Sequence, residues 1–334
     1  MAEYSFKEPR FHDAEAARTY LEGIRWPNGP VCPHCGAFER ISKIEGKSAR
    51  PGLYQCLETE CRQQFTVTVG TVFERSKISL DKWVFAATLM ASSKKGISSK
   101  QIERMLGVTY KTAWFMTHRL REAMKHPASM FAPSGGTVEA DETYVGGKEK
   151  NKHAHKRTKG NIGGTGKQMV FTLVHRETGQ VRSFHLPSVN AKNLKPVLES
   201  QINCAITNFR TDGEGQYRIL APMFASHEAV NHGAGEYVRG DAHCNTAEGF
   251  FSILKRGIVG TFHFVSEQHL QRYVTEFDFR YNHRQVKRKI DGKTVLVGPT
   301  DIERTETLLK QVHGKRLTYR RTRGAEENSK TGAH

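Results

Sequence analysis

Apolar residues recur at helical spacing over residues 13–22, with Asp13 in front as a cap, and Trp26-Pro27-Asn28-Gly29-Pro30 stops the run. From Val31 to Phe73 the pattern changes to β-branched alternation, as in Phe65-Thr66-Val67-Thr68-Val69, and predicts a small β module. Residues 80–126 return to helical spacing and end before Pro127, and Pro133-Ser134-Gly135-Gly136 reads as a linker. The next domain alternates differently: strands over 137–145, 168–175 and 181–186, a helix over 191–202, a strand over 204–210, then helices including 246–256 and 267–282. Three strands able to pair antiparallel, followed by a β-then-α alternation, predict an α/β fold with a mixed sheet flanked by helices.

Two stretches lack apolar periodicity. Residues 148–167, rich in Lys, His and Gly, predict a mobile basic loop, and the chain beyond Arg284 reads as a basic tail whose last dozen residues are disordered. The expected divisions are an N-terminal helix and lead-in over 1–30, a ribbon over 31–73, a helical module over 78–127, a catalytic domain over 137–285 containing the loop 148–167, and a tail over 286–334.

Fifty-one Lys and Arg against 34 Asp and Glu leave a net charge of +17, spread along 334 residues, which favours a polyanionic partner, DNA before any other. Met1 to Gly23 has no apolar stretch of signal-peptide type and no run approaches a membrane span, so the expected compartment is the cytoplasm.

Four of the six cysteines form two close pairs. Cys32 and Cys35, then twenty residues, then Cys56 and Cys61 give C-x2-C and C-x4-C, which can place four thiolates tetrahedrally around Zn2+. A site filled by four protein ligands has no place for a reactive water, so its expected role is structural. Cys204 and Cys244 read as ordinary buried thiols.

Within the helical module, Ser98 or Ser99 caps one helix with Ile102, Met105 and Leu106 as its apolar stripe, Gly107 breaks it, and Thr109 caps a second. This fits a helix-turn-helix whose second helix offers Tyr110, Lys111, Thr112, His118 and Arg119 to DNA, although a plain helical hairpin fits the local pattern equally well.

Chemistry enters with Asp141 in a strand, Asp212 at a strand end and Glu248 at a helix start. Thirty-five residues separate Asp212 from Glu248, and Lys255 lies seven residues, two helical turns, beyond it. Three hard carboxylates on rigid elements suit a pair of Mg2+ or Mn2+ ions that stabilise the attacking and leaving oxygens of a phosphoryl displacement. Asp141 would bridge the ions, Asp212 and Glu248 would each hold one, and Lys255 and Arg256 would face a DNA phosphate. Each acid also has a bland explanation: Asn245 and Glu248 fit a capping box, Asp212 before Gly213 fits a turn, and Glu139, Glu142, Glu214 and Asp241 are rival ligands.

With these residues in hand, the chain resembles DDE-type insertion-sequence transposases with a ribonuclease H-like catalytic domain, over about residues 15–285. The resemblance is carried by Asp141-Glu142-Thr143-Tyr144-Val145-Gly146-Gly147-Lys148, by Asn245, Glu248, Phe250, Ser252, Lys255, Arg256 and Gly257, and by Glu276, Phe277, Phe279, Arg280, Tyr281, Asn282 and Arg284. The zinc ribbon and helical module ahead of them are similar to the ISXO-type group. The resemblance implies Asp141, Asp212 and Glu248 as the metal-binding triad and Lys255 as the basic residue that accompanies it, with Asn245 the alternative third residue and His243 a further candidate for the same site. It also implies recognition of terminal inverted repeats, strand cleavage and transfer, and a homo-oligomer that pairs the element ends. A domesticated, non-catalytic DNA-binding regulator and a ribonuclease H-like nuclease without strand transfer are the competing readings.

Overall fold

A computed structural model describes residues 5–127, 129, 131–147, 153, 155, 166–212, 215–230, 244–290 and 292–318. The chain divides into two units, one made of residues 1–92, 99–124 and 301–334, the other of residues 93–98 and 125–300.

In the first unit, helix α1 (Ala14–Arg25) begins where the Asp13 carboxylate accepts the Ala16 N–H at 2.6 Å and ends at Trp26, ahead of Pro27. Strands β1 (Ile41–Ile44), β2 (Leu53–Cys56) and β3 (Gln64–Phe65) form an antiparallel sheet in that order. So small a sheet has little core of its own. Trp26 meets Tyr54 edge-on at 5.5 Å, and Tyr54 stacks on Phe65 at 5.7 Å, which supplies apolar burial on one side.

Helix α2 (Leu80–Ser92) is buried nearly all round, with Val84, Ala86, Ala87, Met90 and Ala91 fully enclosed. Helix α3 (Ser99–Leu106) buries Ile102 and Leu106 but leaves Met105 exposed, so its apolar stripe is narrower than the sequence suggests. Gly107, at φ +59°, adopts the left-handed conformation that ends the helix, and Thr109 caps helix α4 (Tyr110–Ala123) by accepting the Thr112 N–H at 3.3 Å.

The second unit is built on one five-stranded sheet of strands β4 (Gly136–Val145), β5 (Gln168–His175), β6 (Gln180–Leu186), β7 (Thr207–Asp212) and β8 (Ser226–Val230), in the order β6-β5-β4-β7-β8. The first three pair antiparallel, whereas β4, β7 and β8 run parallel. Helices α5 (Ala191–Gln201) and α6 (Gly215–Leu220) cover one face, packing Leu194, Leu198 and Tyr217 on Val138, Phe171 and Phe209. Helices α7 (Asn245–Gly257) and α8 (Glu267–Asn282) cover the other with Phe250, Leu254, Val274 and Phe277 on Val170, Val174 and Val181. A Cβ on Gly257 would sit 2.3 Å from the Phe277 ring, so the approach of α7 to α8 requires glycine there.

Polar side chains of α8 dock on the outer edge of β6. The Val181 N–H donates to Asn282 Oδ1 at 2.7 Å, the Ser183 N–H to the buried Asp278 at 2.8 Å, and the His185 N–H to Gln271 Oε1 at 2.7 Å. Alternate residues of an edge strand point their N–H groups outward, and α8 takes up three in succession, closing an edge that would otherwise invite strand pairing.

The basic tail expected from residue 286 onward does not hold over its described part. Strands β9 (Val286–Ile290) and β10 (Lys293–Val297) form a hairpin, and helix α9 (Asp301–Lys310) belongs to the first unit, where it packs on α2 with Leu308 and Leu309 buried. The Val72 N–H donates to the Val312 carbonyl at 3.2 Å, the Gly314 N–H to Gly70 at 2.9 Å, and Lys315 Nζ to Ala123 at 2.6 Å. Apolar residues at helical spacing, hidden among many charges, account for the difference. The last dozen residues, and the loop 148–167 apart from His153, His155, Gly166 and Lys167, lie outside the described residues.

Candidate metal centre and its surroundings

The parallel register between β4 and β7 sets the Ala140 position against Thr211, so the next step along both strands brings Asp141 beside Asp212. Their side chains share the sheet face that α7 covers, because strand period places Asp141 with Glu139, opposite to Val138 and Ala140. Pairing with β7 ends there, and Glu142 reaches the same place from the opposite face. Tyr217 Oη, on α6, donates to Glu142 Oε2 at 2.6 Å and holds it. Carboxylate oxygens of Asp141, Glu142 and Asp212 all lie within 4.8 Å of one another.

Such proximity has an electrostatic signature. Burial, then the charges of Asp212, Glu142 and Glu248, push the Asp141 carboxyl up to about 8, against the opposing effect of the Glu142 N–H that its Oδ1 accepts at 2.7 Å. Burial and the Glu142 charge likewise push the Tyr217 phenol well up, so it stays a donor. A divalent cation would relieve the mutual repulsion, and three hard oxygens are the donor set Mg2+ or Mn2+ prefers.

Glu248 is exposed on the first turn of α7. It lies outside the tight cluster of three, yet close enough for its charge to act on Asp141. The capping-box alternative does not apply, because the N-cap is Cys244 and makes no side-chain cap bond. Asn245 is exposed as the first helical residue, and Lys255 and Arg256 are exposed on the last turn. His243, Asp241 and Glu214 lie outside the described residues. The rival Glu139 is fully buried and bonded to the start of α7, so it does not belong to the cluster.

In the first unit the four ribbon cysteines also gather, their sulfurs within 4.8 Å of one another, with Cys32 to Cys61 at 3.8 Å and Cys35 to Cys56 at 3.7 Å. Zinc–sulfur bonds of about 2.3 Å in a tetrahedron separate the sulfurs by roughly 3.8 Å, so the spacing fits Zn2+.

Candidate DNA contacts on α4 divide. Tyr110 and Lys111 are exposed and Thr112 is half-buried at the helix start. His118 is fully buried, and half-buried Arg119 donates to the carbonyls of Leu317 at 3.2 Å and Glu74 at 3.2 Å, so neither faces outward as the sequence suggested. A helical periodicity shows which residues share a face but not what covers it, and the covering segment comes from residues far along the chain.

Residues 133–282, which include all three predicted acids, match the ISXO2-like transposase domain, and residues 12–64, which include the four cysteines, match the transposase zinc-ribbon domain. A protein in transposable element ISH50 of Halobacterium salinarum, itself described as uncharacterized, is 31% identical over 299 residues, covering 86% of this chain and 95% of that one. The chain belongs to the ISXO2-like transposase family. A cryo-EM structure of a simian T-cell lymphotropic virus intasome in complex with PP2A regulatory subunit B56 gamma overlaps 58% of the transposase and 68% of its own chain at 13% identity. Its TM-score of 0.28 is too low to carry any argument about the transposase fold. Among the described residues, no helix is long and apolar enough to cross a membrane.

The sequence offers Glu142 only as a rival ligand, and strand alternation sets it on the face opposite to Asp141. The missing signal was where β7 stops, which the alternation around residues 204–210 misjudged: Cys204–Ile206 is a 3-10 turn and the strand runs to Asp212.

Proposed function

We propose that this transposase binds the terminal inverted repeats of its element through the first unit and carries out divalent-metal-dependent strand cleavage and strand transfer at the acid cluster of the second. The observation that carries the proposal is the convergence of Asp141, Glu142 and Asp212 on one spot, with Asp141 raised to about 8. The sheet order, three antiparallel strands and then two parallel ones with helices on both faces, supports a ribonuclease H-like reading of that unit.

Asp141 and Asp212 are the central pair that would hold Mg2+ or Mn2+, Glu142 adds a third oxygen fixed by Tyr217, and Glu248 closes the site from α7. When bound, the metal supplies positive charge for the attacking and leaving oxygens of an in-line phosphoryl displacement. Lys255 and Arg256, two turns along α7, engage the DNA backbone beside the scissile bond. Tyr110, Lys111 and Thr112 at the start of α4 supply contacts to the element end in a helix-turn-helix arrangement, with Zn2+ in the ribbon maintaining the fold around it. A homo-oligomer then pairs two ends.

The test uses duplexes carrying the element's terminal repeats, with Mg2+ present. Wild type nicks the end and joins the freed 3′-hydroxyl to a second duplex, whereas Glu248→Gln binds the same DNA with unchanged affinity and loses cleavage. Normal cleavage by Glu248→Gln would remove Glu248 from the site. Cleavage without joined products would favour a plain nuclease, and binding without cleavage by wild type would favour a DNA-binding regulator.

A further inference from the structure

Glu139 is fully buried, outside the cluster of three acids, and bonded to the helix that carries Glu248. We infer that Glu139 is a positioning residue: a carboxylate clamp, extending from the strand of Asp141, that fixes the first turn of α7 and thereby sets where Glu248 stands relative to the acid cluster.

The helix start shows why a clamp is needed. The first N–H groups of a helix lack intrahelical partners, and Cys244 at the N-cap supplies none from its side chain. Glu139 supplies them from outside: its Oε2 accepts the Thr246 N–H at 3.2 Å and the Ala247 N–H at 3.3 Å, and its Oε1 accepts the Thr246 hydroxyl at 3.1 Å. A carboxylate at a helix N-terminus is also favoured by the helix dipole.

The clamp is fastened at its other side. Arg176 Nε donates to Glu139 Oε1 at 2.7 Å, and the Arg176 N–H donates to the Thr137 carbonyl of the same strand at 3.0 Å. Fully enclosed, the Glu139 charge is thus paired and its oxygens are hydrogen-bonded, the condition under which a buried carboxylate persists. Glu139 and Asp141 lie two residues apart on one face of β4, while Ala247, which the clamp holds, directly precedes Glu248. A displacement of the α7 start relative to β4 therefore becomes a displacement of the Glu248 backbone relative to Asp141. Cys244, whose Sγ lies 3.9 Å from the carbonyls of both Ala140 and Arg210, seats the same turn over the β4–β7 seam.

This inference rests on the metal-dependent reading of the site. The test is a double-mutant cycle on the full-length, zinc-loaded protein, using Mn2+ as the probe, its binding followed by electron paramagnetic resonance and its thermal stability by circular dichroism. Glu139→Gln is expected to weaken Mn2+ binding by about tenfold or more, as loss of an outer partner of a metal site typically does, and to add nothing further in a Glu248→Gln background. Thr246→Val, which removes one hydroxyl donor and keeps the shape, should weaken Mn2+ binding less, in the same non-additive way, and remains informative if Glu139→Gln fails to fold. Full additivity with Glu248→Gln, or a lowered melting temperature with unchanged Mn2+ affinity, would overturn the clamp and leave Glu139 a structural cap. If wild type shows no Mn2+ binding sensitive to Asp141→Asn, the metal-dependent reading itself fails, and the clamp with it.

Discussion

An Asp carboxyl raised to about 8 changes how the protein responds to pH when its acid cluster holds no cation. Because the folded value lies above that of the unfolded chain, Asp141 is compatible with full stability below about 4 and weakens the fold as pH rises towards about 8. The shift corresponds to an effect on the order of 6 kcal/mol at most. Thermal melts of zinc-loaded protein without other divalent ions should therefore show a melting temperature that falls across this window, and Asp141→Asn should flatten the slope. Added Mn2+ should restore stability at high pH in wild type only; a flat wild-type profile would contradict the described electrostatics. Asp141 and Asp212 were legible from sequence because each sits at a strand-like run with an acid at a defined place. Glu142 and Glu139 were named there only as rivals, since their placement depends on where β7 stops and on which helix start packs over β4, and alternation shows neither.

Among the elements, α8 joins two functions that a hydrophobic pattern cannot reveal. Its apolar residues pack on the sheet, and Gln271, Asp278 and Asn282 occupy the N–H groups along β6. The motif residue Asn282 uses both ends of its amide, donating to the Val181 carbonyl at 2.9 Å as well as accepting its N–H. Asp278→Ala would leave the Ser183 N–H and hydroxyl without their acceptor and should cost about 1–3 kcal/mol, read as a lowered denaturant midpoint with unchanged slope. Asn282→Ala should act similarly and, by opening the edge, raise the tendency to aggregate, which light scattering would record. Alternation identified β4, β5 and β6 to within a residue at each end. It missed β8, whose Ser226-His227-Glu228-Ala229-Val230 is largely polar because the strand lies at the sheet edge and only Val230 is buried.

On the scale of the whole molecule, the chain leaves its first unit briefly at residues 93–98 and again after α4, and returns to it finally at α9. A protein ending at Thr300 should retain the sheet-based unit yet lose the partner of α2 and the backbone bonds from Val72 and Gly314, so its ribbon-containing unit should become the first target of limited proteolysis. Removing zinc, or replacing Cys32 and Cys56 by Ser, should weaken binding to element ends while leaving the far-ultraviolet signal of the second unit largely intact; unchanged end binding would show that the ribbon does not serve recognition. The sequence showed a change of pattern near residue 133, but not the return of the chain to its first unit. Residues 301–318 are dense in charges of both signs within a basic C-terminal stretch, and the burial of Leu308, Leu309 and Val312 distinguishes them from a solvated tail.

Because α9 is translated after every strand of the sheet, the ribbon and its helices leave the ribosome early and wait unfinished while the second unit is made. A chain released prematurely, anywhere before residue 301, would carry an incompletely closed first unit and be exposed to cellular proteases, so that a finished first unit exists only in polypeptides that already contain the whole five-stranded sheet.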